Sequence, residues 1–288
     1  MTVADAPATT RWPDLFLVGA AHAGTGRLVA HLRRHPGLFL PQPEQPHFFA
    51  AIRPSRRFAR TIPVVTEESA YLALFAAARP DQFTGEASTS SLWSPEAPGR
   101  IAAVAPDARI AMVLRDPVER AWAHHRHDAA EGAERRGFLR AIRDELQRPG
   151  RWGHEPLYLG AGFYADALER YQAAFGPDRV WIRFFESVDP DPGAAARELL
   201  AWLGLDPSGL SPTPDRPDAA AGPSAARSHA LVDALRHWRA VVAPGPVDAP
   251  PAMDETIRRL LEEIYASDVA RVSDLLGVIP PWSITPEL

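Results

Sequence analysis

The residues whose types and spacing suggest chemistry begin at Asp14 and run Leu15-Phe16-Leu17-Val18-Gly19-Ala20-Ala21-His22-Ala23-Gly24-Thr25-Gly26-Arg27. Four apolar residues, a turn of small residues and a helical pattern with Leu28, Val29 and Leu32 on one face predict strand, glycine loop and helix. That order seats a phosphate, because loop N–H groups and the positive end of the helix dipole converge on the anion. The spacing Gly19-x4-Gly24 opens like a nucleotide triphosphatase loop, but Thr25-Gly26 stands where such a loop requires Lys-Ser/Thr. The clearest second strand, residues 109–114, ends in Arg115 rather than in an acid that would hold magnesium, which argues against triphosphate hydrolysis. Arg115 is followed by Asp116-Pro117, an N-cap and first-turn proline, so it adjoins a helix start and is expected either on an anion or in an ion pair with a nearby carboxylate. His124, His125, His127 and Asp128 raise the question of a metal. On a helix only His124 and Asp128 share a face, so no metal site is expected and a solvated helix face is.

The totals narrow the partners. A chain of 288 residues with 46% apolar and 23% charged residues buries an ordinary globular core. A net charge of −5 argues against nucleic acid as a partner. With no cysteine there is neither a disulfide framework nor thiol chemistry. All 31 basic residues are arginine, a composition that suggests GC-rich bacterial coding, and no lysine is available to meet a phosphate or form a Schiff base. No apolar run is long enough for a membrane span, and residues 1–10 lack the pattern of a signal peptide, so a cytoplasmic protein with a disordered lead-in over 1–12 is expected.

The elements that must position these residues follow in order. Strands are expected at 37–40, 83–88, 109–114 and 180–185. Helices are expected at 67–78, 95–104, 117–128, 131–148, 162–175, 194–203, 228–242 and 253–276. The Pro-, Ala-, Ser- and Gly-rich stretch 206–224 reads as a loop or lid. Alternating strands and helices predict an α/β fold in which a mostly parallel central sheet is flanked by helices, with a helical C-terminal part and one domain over 13–288.

Residues 13–49, with Gly85-Glu86-Ala87-Ser88 and Leu114-Arg115-Asp116-Pro117-Val118-Glu119-Arg120-Ala121, resemble the sulfotransferase family that uses 3′-phosphoadenosine 5′-phosphosulfate (PAPS). The resemblance continues through Leu159-Gly160-Ala161-Gly162-Phe163-Tyr164, Phe184-Phe185-Glu186, Leu203-Gly204-Leu205-Asp206 and residues 265–282. It implies a P-loop-like sheet flanked by helices and a cofactor site built from His22, Ala23, Gly24, Thr25, Gly26, Arg27 and Arg115. It also implies sulfo transfer to a hydroxyl or amine of a small molecule.

The sequence departs from that family where charge matters. His22 occupies the loop position where relatives carry lysine, and an imidazole donates to phosphate as a cation only when protonated, which a bound dianion favours. Gly26 and Ala123 replace family hydroxyls. Aligning Pro46-His47-Phe48-Phe49 puts Gln45 at the family's glutamate base, and Gln45 cannot accept a proton. Glu44, His47 and Glu86 are the remaining base candidates, although His47 between aromatic neighbours also fits plain packing and Glu86 at a strand end also fits a loop cap. His22, His47 and Glu86 are therefore the catalytic candidates. Three functions follow as alternatives: PAPS-dependent sulfo transfer; a tailoring enzyme in natural-product biosynthesis that reuses the cleft for acid–base elimination, cyclisation or hydrolysis without PAPS; and a non-catalytic relative. The acceptor and the oligomeric state carry no legible motif.

Overall fold

The computed structural model describes residues 11–52, 64–147, 157–210 and 253–282. Five strands, β1 (Leu15–Gly19), β2 (Leu38–Phe39), β3 (Phe83–Glu86), β4 (Arg109–Leu114) and β5 (Val180–Phe184), form one parallel sheet in the order β2-β3-β1-β4-β5. The apolar run of β1 is buried along its whole length, as a central parallel strand covered on both faces must be. The chain leaves β1 through α1 (Thr25–Leu32) toward β2, whereas β4 leads the other way, toward β5. The reversal falls between β1 and β4, where open parallel sheets bind ligands.

Around the sheet lie α2 (Glu68–Ala73), α3 (Ala97–Val104), α4 (Pro117–Ala130), α5 (Phe138–Leu146), α6 (Ala165–Phe175), α7 (Phe185–Val188), α8 (Pro192–Trp202) and α9 (Glu255–Leu276). Asp116 caps α4 through Val118 and Glu119 N–H with Pro117 in the first turn, as its sequence requires. A smaller apolar cluster between α4, α5 and α9 joins Val118, Ala121, Phe138, Ile142, Tyr158, Leu261 and Tyr265.

Several expected elements shorten. The single helix expected over 131–148 begins at Phe138, because Gly132 adopts φ +71 and Glu134 pairs with Arg136 to hold the intervening turn. The strand expected to reach Phe185 ends at Phe184, and Phe185 opens α7. The segment at 160–162 is a separate 3-10 turn ahead of α6. The lead-in is not wholly loose at its end, since Trp12 lies against Phe48, Phe49 and Tyr71. Residues 211–224 of the expected lid and the helix expected at 228–242 lie outside the described residues. No described helix is long and apolar enough to cross a membrane.

The C-terminal helix is tied to the sheet by polar as well as apolar contacts. Asp268 on α9 is buried and accepts from Tyr164 N–H at 2.7 Å and Ala165 N–H at 3.2 Å, capping α6 from a distant part of the chain. Gly162 is required beneath it, because a Cβ there would stand 2.6 Å from the Tyr265 hydroxyl. Asp268→Ala leaves two amides unanswered in a buried setting and is expected to cost about 1–3 kcal/mol. Urea unfolding of the two proteins side by side checks this, and a change under a few tenths of a kcal/mol would show that the cap carries no stability.

Candidate active site

β1 delivers its loop to the switch point, and the hydrogen bond from Ala20 N–H to Val113 O at 2.7 Å binds the loop's start to β4. His22 (φ 63) and Gly24 (φ 76) both take the left-handed conformation. A side chain at Gly24 would meet the Phe185 ring at 3.1 Å, so the turn needs glycine there for space as well as for φ. The amides of His22, Gly24, Thr25 and Gly26 donate to no carbonyl among the described residues, which leaves four donors at the start of α1 for an anion. Ala23, expected in the cradle, turns inward instead: it is buried and its amide donates to Ala20 O at 3.3 Å.

Arg115 sits at the end of β4, as the sequence requires. Its Nη1 donates to His22 O at 2.8 Å and its guanidinium lies 4.5 Å from the centre of the Phe185 ring. The Tyr164 hydroxyl donates to Arg115 O at 2.9 Å from beneath. The arginine is thus aimed at the loop by backbone and aromatic contacts rather than by a carboxylate. Arg27 is turned toward α7, where it pairs with Asp189.

The His22 ring stacks on His124, with centroids 4.5 Å apart and planes at 27°, and lies 5.2 Å from the ring of His127. Burial, then the charges of Arg120, His127 and Arg115, push the His22 imidazole down to about 3, so it is neutral at physiological pH. His124 is held well below its ordinary value by burial first, then by the neighbouring His22 and Arg120. The solvated face expected for these histidines is therefore corrected for two of them: His124 and His125 are buried and only His127 is exposed. His125 packs between Trp122 and Phe138 and its Nε2–H meets Arg136 O at 2.9 Å, a structural role. No group of three metal-ligating side chains forms among the described residues.

His47 and Glu86 belong to a second hydrogen-bonded group. Ser88 Oγ accepts from His47 N–H at 2.9 Å and donates to Glu86 Oε2 at 2.6 Å, and His47 Nδ1 meets Ser90 Oγ at 2.7 Å. Glu86 is 1% exposed, and Phe16 is its partner in β1. Its Oε1 has no hydrogen-bond partner among the described residues, and burial pushes its carboxyl up to about 7. Burial pushes His47 down to about 4. Gln45 Oε1 accepts from the Thr89 hydroxyl at 2.8 Å. Glu44 pairs with Arg33 at 3.1 Å while its Oε1 lies 4.0 Å from where a Gly26 Cβ would be, which puts a carboxylate beside the cradle.

A cavity of about 330 Å³ opens beside Asp116, between the start of α4 and α9, with Tyr265, Val269, Ile279 and Trp282 among its walls. Sequence reasoning missed Arg120, His124, Tyr164 and Phe185 as parts of the site. For the first two a signal existed: counting turns from the Asp116 cap puts Arg120, His124 and Asp128 on one stripe of α4.

Residues 13–208 match a model of the sulfotransferase family. The crystal structure of a sulfotransferase from Alicyclobacillus acidocaldarius superimposes with a TM-score of 0.74 at 27% identity, covering 93% of this chain and 97% of that one. Human heparan sulfate glucosamine 3-O-sulfotransferase 6 is 28% identical over 207 residues, 71% of this chain and 56% of that protein. The mouse bifunctional heparan sulfate N-deacetylase/N-sulfotransferase 4 is 27% identical over 212 residues, 68% of this chain and 22% of that protein. The chain therefore spans between about a fifth and little over half the length of these curated relatives. With a parallel sheet, a glycine loop at its switch point and a family match over more than half of its length, the chain belongs to the sulfotransferase family.

Proposed function

We propose that this protein transfers the sulfo group of PAPS to a hydroxyl or amine of a small molecule. One observation carries the reading: four unengaged amides at the start of α1 stand beside an arginine that Phe185 and Tyr164 hold in place. The amides and His22 suit the 5′-phosphosulfate and Arg115 suits the 3′-phosphate, whereas Ala123 offers that phosphate no hydroxyl. PAPS supplies a sulfur whose bond to the phosphate oxygen breaks as the acceptor's oxygen or nitrogen bonds to it. The acceptor's proton leaves to a base, a role this reading gives to Glu44 beside Gly26. The chain's part is to hold the departing oxygen's charge with fixed amide dipoles and the end of α1. It also aligns the acceptor in line. The cavity beside Asp116, between the start of α4 and α9, offers room for a ring or alkyl group.

The neutral His22 ring and the non-basic Gln45 favour a second reading, in which the cleft performs acid–base chemistry without PAPS. Titration calorimetry with 3′-phosphoadenosine 5′-phosphate separates the two. Micromolar binding is expected, with Arg115→Ala weakening it roughly 10- to 100-fold, the range for a charge-assisted hydrogen bond. No binding at millimolar nucleotide would sink the PAPS reading and leave the second.

In this reading Glu86 is a structural acid, not the base that takes the acceptor's proton. Its carboxyl is protonated more readily in the folded chain, at about 7, than in the unfolded one. The folded state therefore binds the extra proton between those values, so stability is greatest at low pH and falls as pH rises through about 7. The loss is expected to be roughly 3 kcal/mol between about pH 5 and about pH 8. Glu86→Gln should flatten that slope in chemical denaturation, and an unchanged slope would mean that another group titrates.

A further inference from the structure

His22 carries more contacts than a loop residue facing water would need. Its left-handed backbone swings the ring onto α4, where it stacks on His124. His124 is itself fixed from three sides. Arg120 Nη1 donates to its Nδ1 at 3.4 Å, which puts the ring proton on Nε2. That Nε2 faces Asp128 Oδ2 at 3.7 Å, and Asp128 accepts from the Tyr158 hydroxyl at 2.8 Å. The edge of Trp93 closes the remaining side, 6.3 Å between ring centres. Behind the stack, Arg120 is fully buried: its Nη2 donates to Tyr158 O, while its Nε meets no partner among the described residues.

The charged and titratable groups facing His22 are thus Arg115 from the end of β4 and Arg120, His124, His127 and, behind His124, Asp128 from α4. On the side of Gly26, Glu44 faces the cradle. Burial first, then the charges of Arg120, His127 and Arg115, disfavour a proton on His22. A tetrahedral dianion on the amides of Gly24, Thr25 and Gly26 reverses that balance, because it adds two negative charges within a few ångströms of the ring.

We propose that His22 is a proton acceptor coupled to anion binding, so that a dianion enters this loop together with one proton from solvent, and that His124 is the positioning residue that keeps the ring at the loop. The inference rests on the loop being the anion site of the proposed function, but it concerns any tetrahedral dianion. Where a lysine would present a permanent charge, this chain makes the charge when the anion arrives. Without an anion the ring's surroundings hold His22 near 3. Affinity therefore falls about tenfold for each unit of pH, from that value up to the higher pKa of the occupied site, and levels off above it.

Inorganic sulfate is the probe, since it remains a dianion across the working range and every proton counted belongs to the protein. Calorimetry at about pH 5 in two buffers of different protonation enthalpy is expected to show net proton uptake, up to one per sulfate bound. Ring-nitrogen NMR should show His22 changing to the doubly protonated form. His22→Gln should bind sulfate more weakly, with no proton uptake and no dependence on pH; His22→Lys should bind without uptake. His124→Ala should lower the uptake, and His124→Phe, which restores a ring for stacking, should recover it. Sulfate binding without proton uptake, uptake that survives in His22→Gln, or no sulfate binding at all would each overturn the proposal. The nucleotide keeps this separate from the proposed function. Binding of 3′-phosphoadenosine 5′-phosphate without a proton defeats the coupling alone, whereas coupled sulfate binding with no nucleotide binding defeats the PAPS reading alone.

Discussion

The hydrogen bond from Arg115 to the carbonyl of His22 is the constraint on which the site depends. It joins the C-terminal ends of β1 and β4, the two strands at which the direction of the sheet's connections reverses. The bond also consumes the carbonyl side of the His22 peptide, so the loop presents N–H groups to the cleft, which is the polarity an anion needs. Arg115 is held in turn by Tyr164, and Tyr164 N–H is held by Asp268 of α9. A helix more than a hundred residues downstream thus fixes the arginine that shapes the first loop. This explains why the C-terminal helix belongs to the site although it lends no residue to the anion cradle.

The sheet was legible from the chain because its causes are local. An apolar run with a small-residue turn gives a buried parallel strand and loop, and Asp116-Pro117 gives a helix start, whatever else surrounds them. The turn after β1 and the position of Arg115 at the end of β4 were legible for the same reason. The pairing of His22 with His124 was not, because it depends on the left-handed turn at His22 and on the rotational phase of α4, neither of which spacing alone reports. A run of charged residues and histidines reads as a solvated face unless the inward stripe is counted from the cap. Here that stripe buries a guanidinium and an imidazole against Tyr158. The helix expected over 131–148 starts late, at Phe138, for a smaller reason, a glycine at positive φ in the midst of otherwise helical composition.

Glu86 and His47 show how burial reshapes residues chosen for their type. Both can move protons, and both lie in stretches with family character. The structure joins them through Ser88 in a buried network whose neighbours are Phe16, Phe49 and Tyr71. A carboxyl enclosed this way holds its proton to a higher pH than it would in water, and a histidine so enclosed stays neutral for the same reason. Their shifted proton affinities follow from burial, so packing alone is sufficient cause for them.

The substitutions at the site are coupled in their electrostatics. Lysine to His22, glutamate to Gln45 and serine to Ala123 each replace a charged or hydroxylic side chain by one that is neutral or apolar. Positive potential at the loop is then left to Arg115 and Arg120, one fixed by backbone and ring contacts and the other by complete burial. Neither is a mobile ammonium that can follow a departing oxygen. A site built this way relies on preorganised dipoles, which stabilise charge without reorganising as it develops. The imidazole of His22 is the titratable group carried by the loop itself, and the proposed coupling makes it the adjustable part of the site.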